Sequence, residues 1–183
     1  MVNTTNSKKI KLLIVGLGSI GKRHATNAAA LDNVEAAVFD SAPGVAQQIG
    51  DNLSLTYFNE WSTALDWSPE AAVVAVPTHL HISVASDLLK AGAHVLVEKP
   101  LSDRLSGVKD FLSLAHEKKR MVYVVCNMRS HPGIKVVYDS LLKVGEPLFA
   151  RAHYGNYLPD MRPGADYRAL YCARREMGGG VIL

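Results

Sequence analysis

The chain has 183 residues, 48% of them hydrophobic, and a formal net charge of +3 at pH 7. A chain of this composition can bury one substantial core, and its Lys and Arg residues are scattered, which argues against a nucleic-acid partner. The N-terminal residues lack the apolar run of a signal peptide and no later stretch is long enough to span a bilayer, so we expect a cytoplasmic protein without a membrane partner. The cysteines Cys126 and Cys172 have no metal-type spacing, and we expect reduced thiols and no metal site.

The first predicted strand, residues 10–15, leads directly into a glycine-rich run and then into a helical pattern. In such a run the first glycine allows a tight turn, the second lets the backbone approach a pyrophosphate, and the third lets the helix pack closely on the strand. The helix start presents free N–H groups and the positive end of its dipole to the phosphates. The predicted dinucleotide-binding residues of this run are Gly16, Gly18, Ser19, Ile20 and Gly21.

The second predicted strand, residues 34–39, ends in Asp40, at about the 20-residue spacing expected of the acidic residue that binds ribose hydroxyls. A carboxylate at this position accepts hydrogen bonds from both hydroxyls and repels a 2′-phosphate. The following residues, 41–43, contain no arginine that would receive such a phosphate. The sequence therefore predicts a site for NAD rather than NADP.

Apolar runs continue to alternate with helical stretches to about residue 145, which is typical of βαβ units on a parallel sheet. The run 71–76 is apolar throughout, as expected of a strand buried on both faces. The remaining predicted strands are 53–57, 71–76, 93–97 and 121–126, and the predicted helices are 19–31, 43–50, 60–66, 80–91 and 104–118. The pattern predicts an α/β fold, a doubly wound parallel sheet of the Rossmann type.

A second unit is predicted to follow this sheet. Residues 134–142 have helical periodicity and are followed by Gly145, and residues 148–154 alternate between apolar and polar, which predicts a strand with one solvated face. We therefore predict a dinucleotide-binding domain over residues 8–131 and the start of a truncated α+β domain, for substrate and oligomer contacts, over residues 132–183.

Polar motifs follow the fourth, fifth and sixth predicted strands, where the carboxyl ends of parallel strands meet. They are Pro77-Thr78-His79-Leu80-His81, Glu98-Lys99-Pro100 and Asn127-Met128-Arg129 with His131-Pro132. Together with the glycine run, they resemble the glucose-fructose oxidoreductase, inositol dehydrogenase and rhizopine-catabolism family, called Gfo/Idh/MocA, from residue 10 to about residue 135. The resemblance implies an NAD-dependent oxidoreductase acting on a sugar, nucleotide sugar or polyol, and we expect a homo-oligomer.

The resemblance assigns Lys99 to substrate binding and proton transfer beside the nicotinamide, and it implies that Glu98 orients this loop. Without the neighbouring motifs, Lys99 would be interpreted as a surface lysine before a turn-forming proline. The resemblance also implies that the Lys99–Pro100 peptide bond is cis, as it often is in this family. The further cofactor-binding residues implied are Pro77, Thr78, His81, Glu98, Lys99, Asn127 and Arg129.

Several of the histidines have a structural alternative. His81 is predicted at a helix start, where a capping or packing role competes with cofactor contact. Arg129 and His131 are expected either to touch substrate or to form a hinge. His24 is expected to pack locally in the first helix, and His79 is expected to be solvated.

A later resemblance is carried by Tyr157-Leu158-Pro159-Asp160-Met161-Arg162-Pro163-Gly164, with Asp166-Tyr167-Arg168 and Gly178-Gly179-Gly180. These residues resemble a subset of the family associated with surface-polysaccharide and acyl-sugar metabolism. There Arg162, Tyr167 and Arg168 are candidates for binding a carboxylate or phosphate, since a guanidinium forks onto both, with a charged tail as the alternative. The family's usual catalytic histidine follows the triple-glycine stretch, and the chain ends at Leu183 before it. We therefore expect either a fragment or a shortened protein, which binds a dinucleotide and turns over no sugar by itself.

Three functions remain open at this point. The first is an NAD-dependent sugar or polyol oxidoreductase, represented by its cofactor-binding portion. The second is a catalytically incomplete dinucleotide-binding module that acts as a sensor or a partner subunit. The third, a methyltransferase or another user of the same sheet, is disfavoured by Glu98-Lys99-Pro100.

Overall fold

A computed structural model describes residues 8–155, 157–160, 164 and 166–179. Its strands are β1 (Ile10–Val15), β2 (Val34–Phe39), β3 (Thr56–Phe58), β4 (Ala71–Val74), β5 (His94–Val97) and β6 (Val122–Val124). Its α-helices are α1 (Ser19–Ala29), α2 (Val45–Leu53), α3 (Trp61–Asp66), α4 (His81–Lys90), α5 (Val108–Glu117) and α6 (Pro132–Val144). Short 3₁₀ turns cover Thr78–Leu80, Asn127–Ser130, Leu158–Asp160, Tyr167–Ala169, Tyr171–Ala173 and Arg175–Met177.

The six strands are all parallel and lie in the order β3-β2-β1-β4-β5-β6. This is the doubly wound order of a Rossmann fold, in which the chain switches direction across the sheet between β1 and β4. The predicted fold class is confirmed. The carboxyl ends of β1, β2, β4 and β5 therefore meet at the switch point, where such folds bind their ligands.

Helices cover both faces of the sheet because its central strands are apolar on both sides. In β1, Leu13 and Ile14 are fully buried, although they point to opposite faces. Leu13 belongs to the cluster that α4 and α5 complete with Leu88 and Phe111, and Ile14 belongs to the cluster that α1 completes with Ala25. Burial on both faces explains why these strands are uninterrupted apolar runs.

The boundaries of some elements differ from those predicted. Helix α5 begins at Val108 rather than 104 because Gly107 has a left-handed backbone (φ 80°), which interrupts a helix. Helix α2 begins at Val45 for the same reason, since Gly44 has φ 75°. Helix α6 has an N-cap that the periodicity did not predict: the ring Nδ1 of His131 accepts a hydrogen bond from the backbone N–H of Gly133 at 3.1 Å.

The predicted strand at 148–154 is wrong. These residues have no regular secondary structure, and Leu148, Phe149 and Tyr154 are 96%, 82% and 91% exposed. The alternating pattern predicted one buried face, but the part of the chain described here provides no neighbouring strand to form a ladder with it. Several apolar side chains of α6 are also exposed, among them Val137 and Tyr138.

None of the helices within the described residues is long and apolar enough to cross a membrane.

The turn from β1 into α1 depends on a glycine–glycine contact. A Cβ atom at Gly21 would overlap the backbone carbonyl of Gly16, and Gly16 itself has a left-handed backbone with φ 87°. A side chain at Gly18, by contrast, would meet nothing within 4 Å. The third glycine of the run is therefore required for packing and the second is not.

We predict that Gly21→Ala lowers the free energy of unfolding by about 1–3 kcal/mol, the usual cost of overpacking a core. Alanine favours a helix by about 1 kcal/mol over glycine, but that gain does not offset a clash with a backbone carbonyl. The matched variant Gly18→Ala should change stability by less than about 0.5 kcal/mol. Urea unfolding followed by circular dichroism measures both, and equal stabilities of the two variants would contradict the prediction.

Candidate functional site

A cavity of about 930 Å³ lies at the carboxyl ends of the strands. Most of its lining comes from the residues that follow β1, β2, β4, β5 and β6 and from α1 and the start of α4, and Trp61 and Tyr171 complete it. The predicted site residues that line it are Gly16, Gly18, Ser19, Ile20, Asp40, Pro77, His81, Glu98, Lys99 and Asn127. The fold thus brings ten predicted residues from five loops into one cavity, whose volume lies within the range of ordinary ligand sites.

Other predicted residues lie outside the cavity lining. Gly21 is buried beneath the glycine run, and Thr78 is 3% exposed under the loop after β4. Arg129 is exposed in the 3₁₀ turn after β6. Tyr167 and Arg168 interact with each other, the guanidinium carbon lying 4.7 Å from the ring centroid. The remaining candidate, Arg162, lies outside the described residues.

The start of α1 presents unused hydrogen-bond donors to the cavity. Its first intrahelical bond runs from the N–H of Lys22 to the carbonyl of Gly18 at 2.9 Å. Among the described residues, no side chain caps this helix start, and its first turn contains no acidic residue. The free N–H groups of the first turn, at Ser19 and Ile20, and the helix dipole therefore favour an anion at this end of the cavity.

Two backbone amides hold the Asp40 carboxylate. Its Oδ2 accepts a hydrogen bond from the N–H of Leu17 at 2.6 Å, and its Oδ1 accepts one from the N–H of Ala42 at 2.8 Å. The first bond joins the end of β2 to the glycine run, so the carboxylate is fixed beside that turn. Each oxygen has a second lone pair, which leaves capacity for a pair of neighbouring hydroxyl groups.

An aromatic wall lies beside Asp40. Phe39 and Trp61 both line the cavity, with ring centroids 5.1 Å apart and an angle of 46° between the ring planes. The indole N–H of Trp61 points to Asp87 Oδ2 at 3.4 Å, which helps to hold the ring. Sequence analysis missed Trp61. The available signal was its position shortly after the third strand, since the other site residues also follow the carboxyl ends of strands.

The pair formed by His24 and Glu98 was also missed, because His24 was expected only to pack locally. Its Nε2 lies 2.9 Å from Glu98 Oε1, across the cavity from α1 to the end of β5. Glu98 is 8% exposed, and its Oε2 accepts a weaker hydrogen bond from the N–H of Lys99 at 3.3 Å. The available signal was the spacing: His24 lies four residues after the predicted site residue Ile20, so both are on the helix face that is directed toward the site.

The loop that contains Lys99 is tied to the loop after β4. His81 is 1% exposed, and its two ring nitrogens lie 2.8 Å from the Pro100 carbonyl oxygen and 2.9 Å from that of Val76. These contacts favour the packing alternative for His81 over a direct cofactor contact. The Lys99–Pro100 peptide bond is cis, as the resemblance implied. Lys99 is exposed and lines the cavity beside Glu98.

The expectation of a solvated His79 is wrong. Its side chain is half-buried, and its Nδ1 lies 3.0 Å from the carbonyl oxygen of Met177. Because ninety-eight residues separate the two, no local pattern indicated the contact. The later segment of the chain therefore packs against the loop that follows β4.

Known proteins are similar to this chain over its sheet domain. The family model for oxidoreductases of the Gfo/Idh/MocA type, described as an NAD-binding Rossmann fold, matches residues 10–126, which is more than half of the chain. UDP-N-acetylglucosamine 3-dehydrogenase from Acidithiobacillus ferrooxidans is 28% identical over 122 residues, which are 67% of this chain and 38% of that protein. A 1,5-anhydro-D-fructose reductase from Ensifer adhaerens is 29% identical over 116 residues, which are 62% of this chain and 33% of that protein.

A solved structure shows the same fold with ligands bound. The WlbA dehydrogenase from Bordetella pertussis, in complex with NADH and UDP-GlcNAcA, superimposes with a TM-score of 0.68 at 27% identity, covering 76% of this chain and 41% of that one. The chain thus spans less than half the length of these relatives. The match of the family model over residues 10–126 shows that the chain belongs to the Gfo/Idh/MocA family of NAD-binding oxidoreductases.

Proposed function

We propose that the protein is an NAD-dependent oxidoreductase that moves a hydride between the cofactor and a hydroxyl-bearing carbon of a sugar, nucleotide sugar or polyol. The observation that carries this proposal is that Asp40, the uncapped start of α1 and Lys99 share one cavity. The relatives favour this substrate class, because they include a nucleotide-sugar dehydrogenase and an anhydro-sugar reductase. An oxidoreductase also needs a residue such as Lys99 at the reacting end of the cofactor, whereas a protein that only senses the cofactor would not.

The residues of the cavity fit NAD along its length. Asp40 accepts hydrogen bonds from the ribose hydroxyls next to the adenine, and the wall of Phe39 and Trp61 provides an apolar surface beside them. The free N–H groups at the start of α1 bind the pyrophosphate. Because β4 and β5 lie on the far side of β1 from β2, the nicotinamide half extends toward Pro77, Lys99 and Asn127.

The chemistry near Lys99 follows from its position. When bound, the nicotinamide ring supplies the hydride acceptor or donor. In the oxidation, the neutral amine of Lys99 would accept the proton of the substrate hydroxyl, and the ammonium group that results would stabilise the alkoxide until its carbon loses the hydride and becomes a carbonyl. His24 acts through Glu98 as a positioning residue, since the carboxylate that it holds also contacts the backbone N–H of Lys99.

The role of Lys99 predicts a split between catalysis and cofactor binding. In the whole protein, Lys99→Ala should lower the rate of hydride transfer at least about 100-fold, within the range for loss of a general acid or base. The dissociation constant of the variant for NADH should change little. Stopped-flow absorbance of the cofactor measures the rate of hydride transfer with a panel of nucleotide sugars and polyols, and calorimetry measures the binding of NADH. The control Lys118→Ala removes a lysine outside the cavity, and a fully active Lys99→Ala enzyme would refute the assignment.

The charge of Asp40 predicts cofactor choice. The protein should bind NAD⁺ at least about tenfold more tightly than NADP⁺, because a 2′-phosphate would lie against a carboxylate. Asp40→Asn removes the charge but keeps an acceptor, so it should narrow the gap between the two dissociation constants. Asp51→Ala, an exposed acidic residue outside the cavity, should leave the gap unchanged. Tighter binding of NADP⁺ by the unmodified chain would be incompatible with the proposal.

The His24–Glu98 pair predicts energetic coupling. His24→Ala should lower the free energy of unfolding by about 1–3 kcal/mol, because it leaves a nearly buried carboxylate oxygen without its partner. A double-mutant cycle of His24→Ala with Glu98→Gln should give a coupling energy of at least about 0.5 kcal/mol. The control is a cycle of Asn27→Ala with Glu98→Gln, which should give no coupling energy, although Asn27 is on the same helix and also lines the cavity. Urea unfolding of the four proteins of each cycle gives the values. Strict additivity of His24→Ala and Glu98→Gln would show that the pair does not act as a unit.

A further inference from the structure

The segment 166–179 returns to the cavity after the long irregular stretch that follows α6. Of the described residues beyond Asn127, Tyr171 alone lines the cavity, where it joins the glycine run and Lys99. The residue is 39% exposed, so it is not fully covered by the rest of the fold. The family motifs did not indicate this residue, and the tail residues that they did indicate, Tyr167 and Arg168, lie outside the lining.

Two neighbouring residues attach this segment to the sheet domain. The Nδ1 of His79 lies 3.0 Å from the carbonyl oxygen of Met177, a distance at which the ring N–H donates a hydrogen bond to that carbonyl. The next residue, Gly178, is buried and has a left-handed backbone with φ 74°. A Cβ there would lie 2.9 Å from Thr78 Cβ and 3.1 Å from Asp103 Cβ, so the backbone packs directly against both loops.

The attachment lies over the half of the sheet that does not carry Asp40. Thr78 and His79 follow β4 and Asp103 follows β5, whereas Asp40 follows β2 on the other side of β1. With the adenosine ribose at Asp40, the loops that hold the segment border the nicotinamide half of the ligand. A tyrosine ring suits that position, because its face packs on a flat ring and its hydroxyl group hydrogen-bonds to polar edges.

We propose that Tyr171 is a binding residue for the nicotinamide half of the dinucleotide, and that the His79–Met177 hydrogen bond and the close packing of Gly178 hold it at the cavity. The inference rests on the proposed function, because it takes a nicotinamide dinucleotide as the occupant. It goes beyond that function by making the cofactor site depend on a segment outside the Rossmann sheet. Docking of the segment and binding of the cofactor are then coupled, so each strengthens the other.

Calorimetric titration of the chain with NADH and with ADP-ribose, which lacks the nicotinamide, tests the assignment. Tyr171→Ala should weaken NADH binding about fivefold and ADP-ribose binding less than about twofold, as expected for loss of one aromatic contact. Tyr157→Ala is the matched control, because this tyrosine of the same region is 72% exposed and lies outside the lining. Unchanged NADH binding in Tyr171→Ala, or an equal loss for both ligands, would overturn the proposal.

A second pair of variants tests the attachment. Gly178→Ala should weaken NADH binding as much as Tyr171→Ala and should speed amide hydrogen exchange across residues 166–179. Gly164→Ala is the control, because Gly164 also has a left-handed backbone (φ 81°) but a Cβ there meets nothing within 4 Å. Normal NADH binding by Gly178→Ala would overturn the attachment. Failure of the unmodified chain to bind NADH would overturn the proposed function itself, whereas binding that needs Asp40 but not Tyr171 would overturn this inference alone.

Discussion

The close approach of Gly21 to the backbone of Gly16 is the constraint on which the site depends. With no side chain between them, α1 begins directly against the turn that ends β1. This position directs the uncapped N–H groups of α1 into the cavity and brings the N–H of Leu17 to the carboxylate of Asp40. It also sets the rotation of α1, so that His24 faces Glu98 at the end of β5. A bulkier turn would displace all three features together.

The charges of the cavity are arranged so that each carboxylate has partners before a ligand arrives. Asp40 is held by two backbone amides and Glu98 by a histidine ring and one amide. Carboxylates with low exposure are costly unless they are hydrogen-bonded, and these contacts offset that cost. The donors at the start of α1 remain without side-chain partners among the described residues. The start of α1 is therefore ready for an anion, and this is where the pyrophosphate is proposed to bind.

Local pattern was sufficient for the sheet and for the ends of its strands. Uninterrupted apolar runs and the glycine motif predicted β1, β2 and a parallel sheet, because burial on both faces leaves a strong signal. The contacts between distant residues had no such signal. His24 meets Glu98 from 74 positions away and His79 meets Met177 from 98, whereas His24 was expected to pack locally and His79 to be solvated. The strand predicted from the alternating pattern at 148–154 was wrong for a related reason, since a strand requires a neighbouring strand and the local pattern does not show whether one is present.

The histidine contacts have a common consequence for how the site works. His24 joins α1 to the loop after β5, His81 joins the loops after β4 and β5, and His79 joins the loop after β4 to the later segment. Each contact fixes one cavity wall relative to another, so part of the ordering that a ligand would otherwise impose is already present in the fold. Preorganisation of this kind raises affinity by lowering the entropic cost of binding. It follows that the affinity of the cavity for a ligand depends on the contacts between its walls as well as on the contacts with the ligand itself.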